Sequence, residues 1–456
     1  MPVIRSISGL RATLNDGLND ELIFKYVSAF SKILSPGTIV VGRDGRQSGE
    51  WIEDIVWNTL RQTGRDVRLP GVVPTPTVQL MVEHSDAAGG IVITASHNPK
   101  DWNGLKFIDK SGVFLNGEWN NKLWKEVDSI QSPVISKPDA NDKIYFADAI
   151  KLHIENILSL PFIATSDIIN KLKNRGLKVI VDAVNAAGSK PIPLLLEKFG
   201  CEVIKLYCDG TGIFPHTPEP LPENLTSLSK AVKEHKADLG IAVDPDADRL
   251  VLIDDEGNPI GEENTIVLAV KSVLSMKRFL PSYSEANVVV NHSTTRRVED
   301  ISEKYGAMVF RSPVGEINVV NKMKEVNAII GGEGSGGVIL PASHYGRDSL
   351  VGTALVLSLL ANENTTLSKI VGSLPKYEMH KTKKEFKGNI DAIIDNLIKE
   401  FPDGLPLRED GIKINFPDKW IQLRSSNTEL IIRLIAEAKT KNEVMEMIDR
   451  AIRFIQ

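Results

Sequence analysis

Cysteine is almost absent. Cys201 and Cys208 are the two thiols among 456 residues, and they do not form a Cys-x-x-Cys pair. So few thiols argue for a reducing compartment and against a disulfide scaffold. Histidine is also sparse, with 8 residues that nowhere cluster, which leaves little for a histidine-rich metal centre. No long basic tract occurs; the net charge is −5 and the pI about 6.0, which argues against nucleic acid as a partner. The longest apolar helix-like run, Leu350 to Ala361, falls short of the ~20 residues that span a bilayer. The first residues, MPVIRSISGLRATLND, lack a basic-then-apolar leader pattern. The expectation is a cytoplasmic protein with no membrane partner.

What is present is ample apolar sequence, 42%, with 25% charged residues, as in ordinary globular chains. At roughly 100–200 residues per domain, the length suggests three or four domains. Short apolar runs alternate with helical periodicity. TIVVGRD (38–44) reads as a strand, and Trp51, Ile52, Ile55, Val56, Thr59 and Leu60 recur at helical spacing before Gly64. Such alternation indicates βαβ units. The pattern restarts twice. Three apolar strands run into loops of unusual composition: GIVITASHNP, GIAVDPDADR and AIIGGEGSGG. This is an architectural repeat, and it suggests three related α/β domains, each with a loop where open α/β sheets place ligands. From about Pro375 the pattern changes to closely spaced strands with flanking amphipathic helices, an α+β module.

The loops carry the chemistry. Asp244-Pro245-Asp246-Ala247-Asp248-Arg249 sets carboxylates at alternate positions. In a straight strand they would stand ~7 Å apart, too far for one cation, so the segment must curl. An all-oxygen set suits Mg²⁺; the plain alternative is a solvated acidic turn. Ser96-His97-Asn98-Pro99 ends an apolar strand, which suits either a polar turn or a nucleophilic or phosphorylated serine, with His97 to move a proton and Lys106 to supply charge. Neither a Gly-x-Ser-x-Gly elbow nor a Gly-x-x-x-x-Gly-Lys-Ser/Thr loop occurs. Glu333 and Ser335 interrupt a glycine-rich loop and suit sugar hydroxyls. Arg424 with Ser426, Asn427 and Thr428 forms RSSNTE, a candidate phosphate clamp. Arg11, Arg43 and Arg46 are further cationic candidates.

Together, TASHNP, DPDADR, GGEGSGG and RSSNTE resemble, in order, the phosphoserine, metal, sugar-recognition and phosphate-binding loops of the α-D-phosphohexomutase superfamily. The resemblance covers essentially the whole chain. It implies three related mixed-sheet α/β domains (1–137, 138–256, 257–374) plus a C-terminal α+β domain (375–456) around a central cleft. It also implies a Ser96 that carries phosphate, Mg²⁺ held by that group with Asp244, Asp246 and Asp248, and charge shared by Arg249, Lys106 and Arg11. His97 or Lys106 would act as acid or base. Glu333 and Ser335 would hold the sugar, and the Arg424 loop the non-reacting phosphate. The implied activity interconverts hexose 6- and 1-phosphates through a 1,6-bisphosphate, which also serves as activator, in a monomer or homodimer.

Departures exist. Gly9-Leu10-Arg11-Ala12 replaces the Gly-[Ile/Val]-Arg-Gly of many relatives, and Gly337 stands where many bacterial members have His. GGEGSGG with PVGEIN most resembles the archaeal-type phosphoglucosamine mutase branch, with phosphomannomutase/phosphoglucomutase as the alternative within the same mechanism. A Ser-dependent metallophosphatase or a non-catalytic sugar-phosphate binder would leave part of the motif set unexplained.

Overall fold

The computed structural model describes residues 3–14, 16–131, 143, 145–276, 286–386, 390–425 and 431–455. Four sheets organise these residues into four domains. The first holds β1 (Ile4–Ser6), β2 (Gly9–Thr13), β3 (Ile39–Arg43), β4 (Val67–Val72), β5 (Gly89–Ile93) and β6 (Trp102–Asp109), in the order β1-β2-β6-β5-β3-β4. The second holds β7 (Lys178–Asp182), β8 (Glu202–Tyr207), β9 (Leu239–Val243) and β10 (Leu250–Ile253), ordered β10-β9-β7-β8. The third holds β11 (Asn287–Asn291), β12 (Met308–Ser312), β13 (Ile330–Glu333), β14 (Gly337–Leu340) and β15 (His344–Arg347), ordered β12-β11-β13-β14-β15.

The repeat seen in the sequence is topological. In each of these sheets one strand has two parallel neighbours, the second and third of a trio, and the third is followed by an antiparallel return strand. The three chemical loops are these tight returns: β5 to β6, β9 to β10 and β13 to β14. Apolar residues fill β5, β9 and β11 because both faces of these strands are covered.

The fourth sheet is antiparallel throughout, ordered β16-β20-β19-β18-β17 from β16 (Glu378–Glu385), β17 (Leu405–Leu407), β18 (Ile412–Asn415), β19 (Trp420–Ser425) and β20 (Ile431–Ala438). The helix Ile390–Glu400 buries Ile393, Ile394 and Leu397 against it. The helix Lys441–Ile452 begins in a capping box, with Thr440 and Glu443 satisfying each other's backbone N–H groups.

The apolar run near residue 350 forms the helix Ser349–Glu363, buried from Ser349 to Ala361. A helix apolar all round must be covered all round. It lies in a single hydrophobic core shared by the second and third domains, whereas the first and fourth have cores of their own. Asp348 caps this helix through Leu350 N and Val351 N. Its other oxygen receives His153 Nε2 at 2.7 Å and His344 Nε2 at 3.0 Å, and His153 Nδ1 meets Thr77 Oγ1 at 2.9 Å. These bonds tie the first, second and third domains together. One expectation needs correction: Trp51 is 37% exposed, because its indole N–H donates to Asp20 at the rim instead of packing inward. No helix among the described residues is long and apolar enough to cross a membrane.

Candidate active site

Ser96 stands at the tip of the β5–β6 return with φ of 53°. A left-handed serine is uncommon and persists where its surroundings fix it. Here Ser96 N donates to Thr94 Oγ1 at 2.8 Å, and Thr94 Oγ1 donates to Asp44 at 2.7 Å. Arg46, 2% exposed, spreads beneath the loop and donates to the carbonyls of Ser96, Asn98, Pro99 and Trp102 at 2.5–3.2 Å. Asp44 steers its Nε at 2.9 Å, and Phe214 stacks on its guanidinium at 4.9 Å. One arginine therefore replaces several backbone partners that the loop lacks. Arg43, the other arginine of that segment, pairs instead with Glu50 and Glu53.

The three aspartates curl as their spacing demands. Ala247 takes φ of 49°, and oxygens of Asp244, Asp246 and Asp248 come within 4.8 Å of one another, all fully buried. Thr75 Oγ1 donates to Asp246 at 2.7 Å, and Ser349 Oγ holds the Ala247 carbonyl at 2.7 Å. Ser96 Oγ donates to Asp244 Oδ2 at 3.1 Å and lies 3.5 Å from His97 Nδ1. Lys106 Nζ donates to Asp246 at 2.6 Å and to Asp248 at 3.1 Å. Arg249 Nε stands 3.9 Å from both Asp244 and Asp248.

Electrostatics follow from this crowding. Burial, then Asp248 and Asp246, push the Asp244 carboxyl well above its ordinary value. Burial also raises Asp248, but Arg347, Lys106 and Arg249 outweigh it and hold that carboxyl low. Burial, with Arg249 and Arg11, keeps the His97 imidazole neutral. For Lys106 burial lowers the ammonium, but Asp246 and Asp248 prevail and raise it. Asp246 Oδ1 and Asp248 Oδ1 are buried without hydrogen-bond partners. Two orphaned carboxylate oxygens beside a third acid suit a hard divalent cation, so the residues present fit a metal.

The cleft in front is lined by His97, Lys106, Arg11, Arg249, Ser335 and Arg424, among others. Ser96 and the aspartates sit directly behind this lining, Ser96 at 1% exposure. Arg11 donates to Asn98 Oδ1 at 3.0 Å; burial pushes its guanidinium down to about 10. Glu333 accepts from Asn291 Nδ2 at 2.8 Å and Gly315 N at 3.0 Å. Arg424, in β19, faces Arg433 across the strand pair, and both reach the cleft. Ser426, Asn427 and Thr428 lie outside the described residues.

Sequence reasoning missed Arg347. Its guanidinium binds Asp248 at 2.7 Å, Glu333 at 2.8 Å and Glu316 at 3.1 Å, joining the metal loop to the sugar loop. Its signal was faint: an arginine before a capping aspartate at the head of the apolar helix. Glu219 was missed too; it reaches the cleft from a proline-rich loop of the second domain.

Comparison with known proteins agrees with this geometry. Family models for phosphoglucomutase/phosphomannomutase alpha/beta/alpha domains I, II and III match residues 4–133, 152–257 and 262–377, and the C-terminal domain model matches 381–453. A phosphoglucomutase/phosphomannomutase of Thermococcus kodakarensis is 33% identical over 98% of this chain and 97% of its own length. A probable phosphoglucosamine mutase of Methanopyrus kandleri is 31% identical over the same shares. The crystal structure of a phosphoglucomutase/phosphomannomutase family protein from Burkholderia thailandensis superposes with a TM-score of 0.83 at 26% identity, covering 99% of this chain and 96% of that one. With four domain models in order and full-length relatives, the chain belongs to the phosphoglucomutase/phosphomannomutase family and is a phosphohexomutase.

Proposed function

We propose that this enzyme moves phosphate between O6 and O1 of glucosamine through a phosphorylated Ser96. The observation that carries the reading is Ser96 Oγ held against Asp244 at the back of a cation-lined cleft, with Arg424 reaching that cleft from another domain. Phospho-Ser96 donates to the free hydroxyl of the bound hexose monophosphate. The bond from Ser96 Oγ to phosphorus breaks as the sugar oxygen bonds to it, and the sugar's proton passes by way of His97, whose Nδ1 lies within reach of Ser96 Oγ, to that departing oxygen, which leaves as the serine hydroxyl. The Lys106 ammonium is already donated to two carboxylates, so its part is charge rather than proton acceptance. The resulting 1,6-bisphosphate turns end over end and returns its other phosphate to Ser96. Mg²⁺, held by Asp244, Asp246 and Asp248 with the serine's phosphate, would neutralise charge on the transferring group. Arg11 and Arg249 share that work, while Glu333 and Ser335 hold the sugar and Arg424 the idle phosphate. Added hexose 1,6-bisphosphate primes the serine. In this reading the enzyme works in the cytoplasm on free sugar phosphates.

A second substrate reading, glucose or mannose phosphate, is favoured by the name of the Thermococcus kodakarensis relative at 33% identity. A ³¹P NMR assay with Mg²⁺ and catalytic bisphosphate, comparing glucosamine, glucose and mannose 6-phosphates, separates the two. Preference for glucosamine 6-phosphate supports the first reading, and preference for a neutral hexose supports the second. Release of inorganic phosphate with no 1-phosphate overturns both.

A further inference from the structure

Among the described residues five glutamates line the cleft, and four are already engaged. Lys381 Nζ holds Glu262 and Glu263, each at 2.6 Å. Arg347 holds Glu316 and Glu333 at 3.1 and 2.8 Å. Glu219 differs. Its carboxylate lies 3.8 Å from His97 Nε2, beyond hydrogen-bond range, and its side chain is 36% exposed.

Its backbone is firmly placed. Pro218 and Pro220 flank it, which restricts its own dihedrals and those of its neighbour. Its carbonyl accepts from Leu221 N and Asn224 Nδ2, both at 2.8 Å. The same loop stacks Phe214 on Arg46, the arginine beneath the serine. A Cβ at Gly212 would stand 1.9 Å from the Gly45 carbonyl, so the loop is seated directly on the first domain. A carboxylate carried on a firmly placed backbone thus stands 3.8 Å from His97, the residue that follows the reacting serine.

A lone carboxylate is a poor neighbour for a phosphoryl group, since like charges repel. It becomes favourable if the substrate itself brings a cation there. When O1 of the sugar faces Ser96, the adjacent carbon is C2. In a 2-amino-2-deoxyhexose C2 carries a basic amine, comparable to an α-amino group and so substantially ammonium near neutrality. We propose that Glu219 accepts the C2 ammonium and sets selectivity for 2-amino over 2-hydroxy hexose phosphates. The inference rests on the glucosamine reading and adds a residue to it. It also assigns the contact to one half-reaction, transfer at O1, because transfer at O6 turns C2 to the far end of the cleft.

The test compares kcat/KM for glucosamine 6-phosphate and glucose 6-phosphate in the wild type and in Glu219→Gln, both with Mg²⁺ and bisphosphate. Charged hydrogen bonds support an expected drop of roughly tenfold to a hundredfold in the glucosamine-to-glucose ratio. A ratio within about twofold of wild type overturns the inference. If both substrates lose rate equally, Glu219 instead holds His97. A wild-type ratio at or below unity refutes the glucosamine reading itself, separately from any effect of the variant.

Discussion

Arg347 Nη2 and Asp248 Oδ2 meet at 2.7 Å, one at the end of a third-domain strand and the other in the second domain's metal loop. The same guanidinium reaches Glu333 and Glu316. Burial disfavours its charge, but Asp248, Glu333 and Glu316 outweigh that and raise its pKa well above the usual value. Removing it leaves buried Glu333 and Glu316 without the cation that pairs with them and strips one from Asp248, which keeps Lys106 at 3.1 Å. Arg347→Met should therefore destabilise the fold by about 3–5 kcal/mol, read as a lower denaturant midpoint, and turnover should fall with it. A midpoint unchanged from wild type would refute the role of this pair.

Ser96→Ala tests the nucleophile. The backbone strain at this position is shared by serine and alanine, so stability should stay within about 1 kcal/mol. Mutase turnover should fall by at least roughly a thousandfold, and any covalent phosphate on the purified enzyme should disappear from its intact mass. Retained turnover would move the phosphoryl carrier elsewhere.

Asp246→Asn tests the metal loop. The change removes one of the two orphaned oxygens that fit a cation. The Mg²⁺ concentration for half-maximal activity should rise roughly tenfold or more. An unchanged titration would place the cation away from this loop.

His216 gives a pH signature. Its Nε2 lies 2.9 Å from Asp182 Oδ2 and its Nδ1 2.8 Å from the Thr217 carbonyl. Burial lowers its pKa, but Asp182 and Thr217 outweigh this and the net shift is upward. A raised folded pKa means that the stabilisation is fully present below the unfolded value of about 6.5 and is lost as pH rises through the folded one. The stability difference between wild type and His216→Gln should therefore be larger at pH 5.5 than at pH 8.5. Equal differences at both would show that the charge contributes nothing.

The loops were legible because each follows a short apolar strand; composition left TASHNP, DPDADR and GGEGSGG each open to reading as an ordinary turn, and four motifs in order singled them out. The curl of the aspartates was legible from their spacing, since a straight strand holds them too far apart. Arg347 and Glu219 were not. Arg347 pairs with Asp248 across 99 positions of sequence, and no local period marks such a contact. Glu219 lies 122 positions from His97 in sequence, and only the assembled cleft brings the two within 3.8 Å. Arg46 was noted as a possible anion ligand, yet its guanidinium is spent on four backbone carbonyls of the serine loop.

The helix Ser349–Glu363 has a mechanical consequence. Because it is buried within a core common to the second and third domains, the metal loop and the sugar loop belong to one cooperative body and are gained or lost in a single step. The serine loop and Arg424 sit on domains with separate cores. The first domain is nonetheless pinned to that body by buried contacts: Thr77 on His153, Thr75 and Lys106 on Asp246, and Val113 within a third-domain core. The serine loop, the aspartate loop and the Glu333 loop therefore form one packed assembly, which the fourth domain, carrying Arg424, meets through polar contacts such as Thr295 with Glu437 and Lys381 with Glu262.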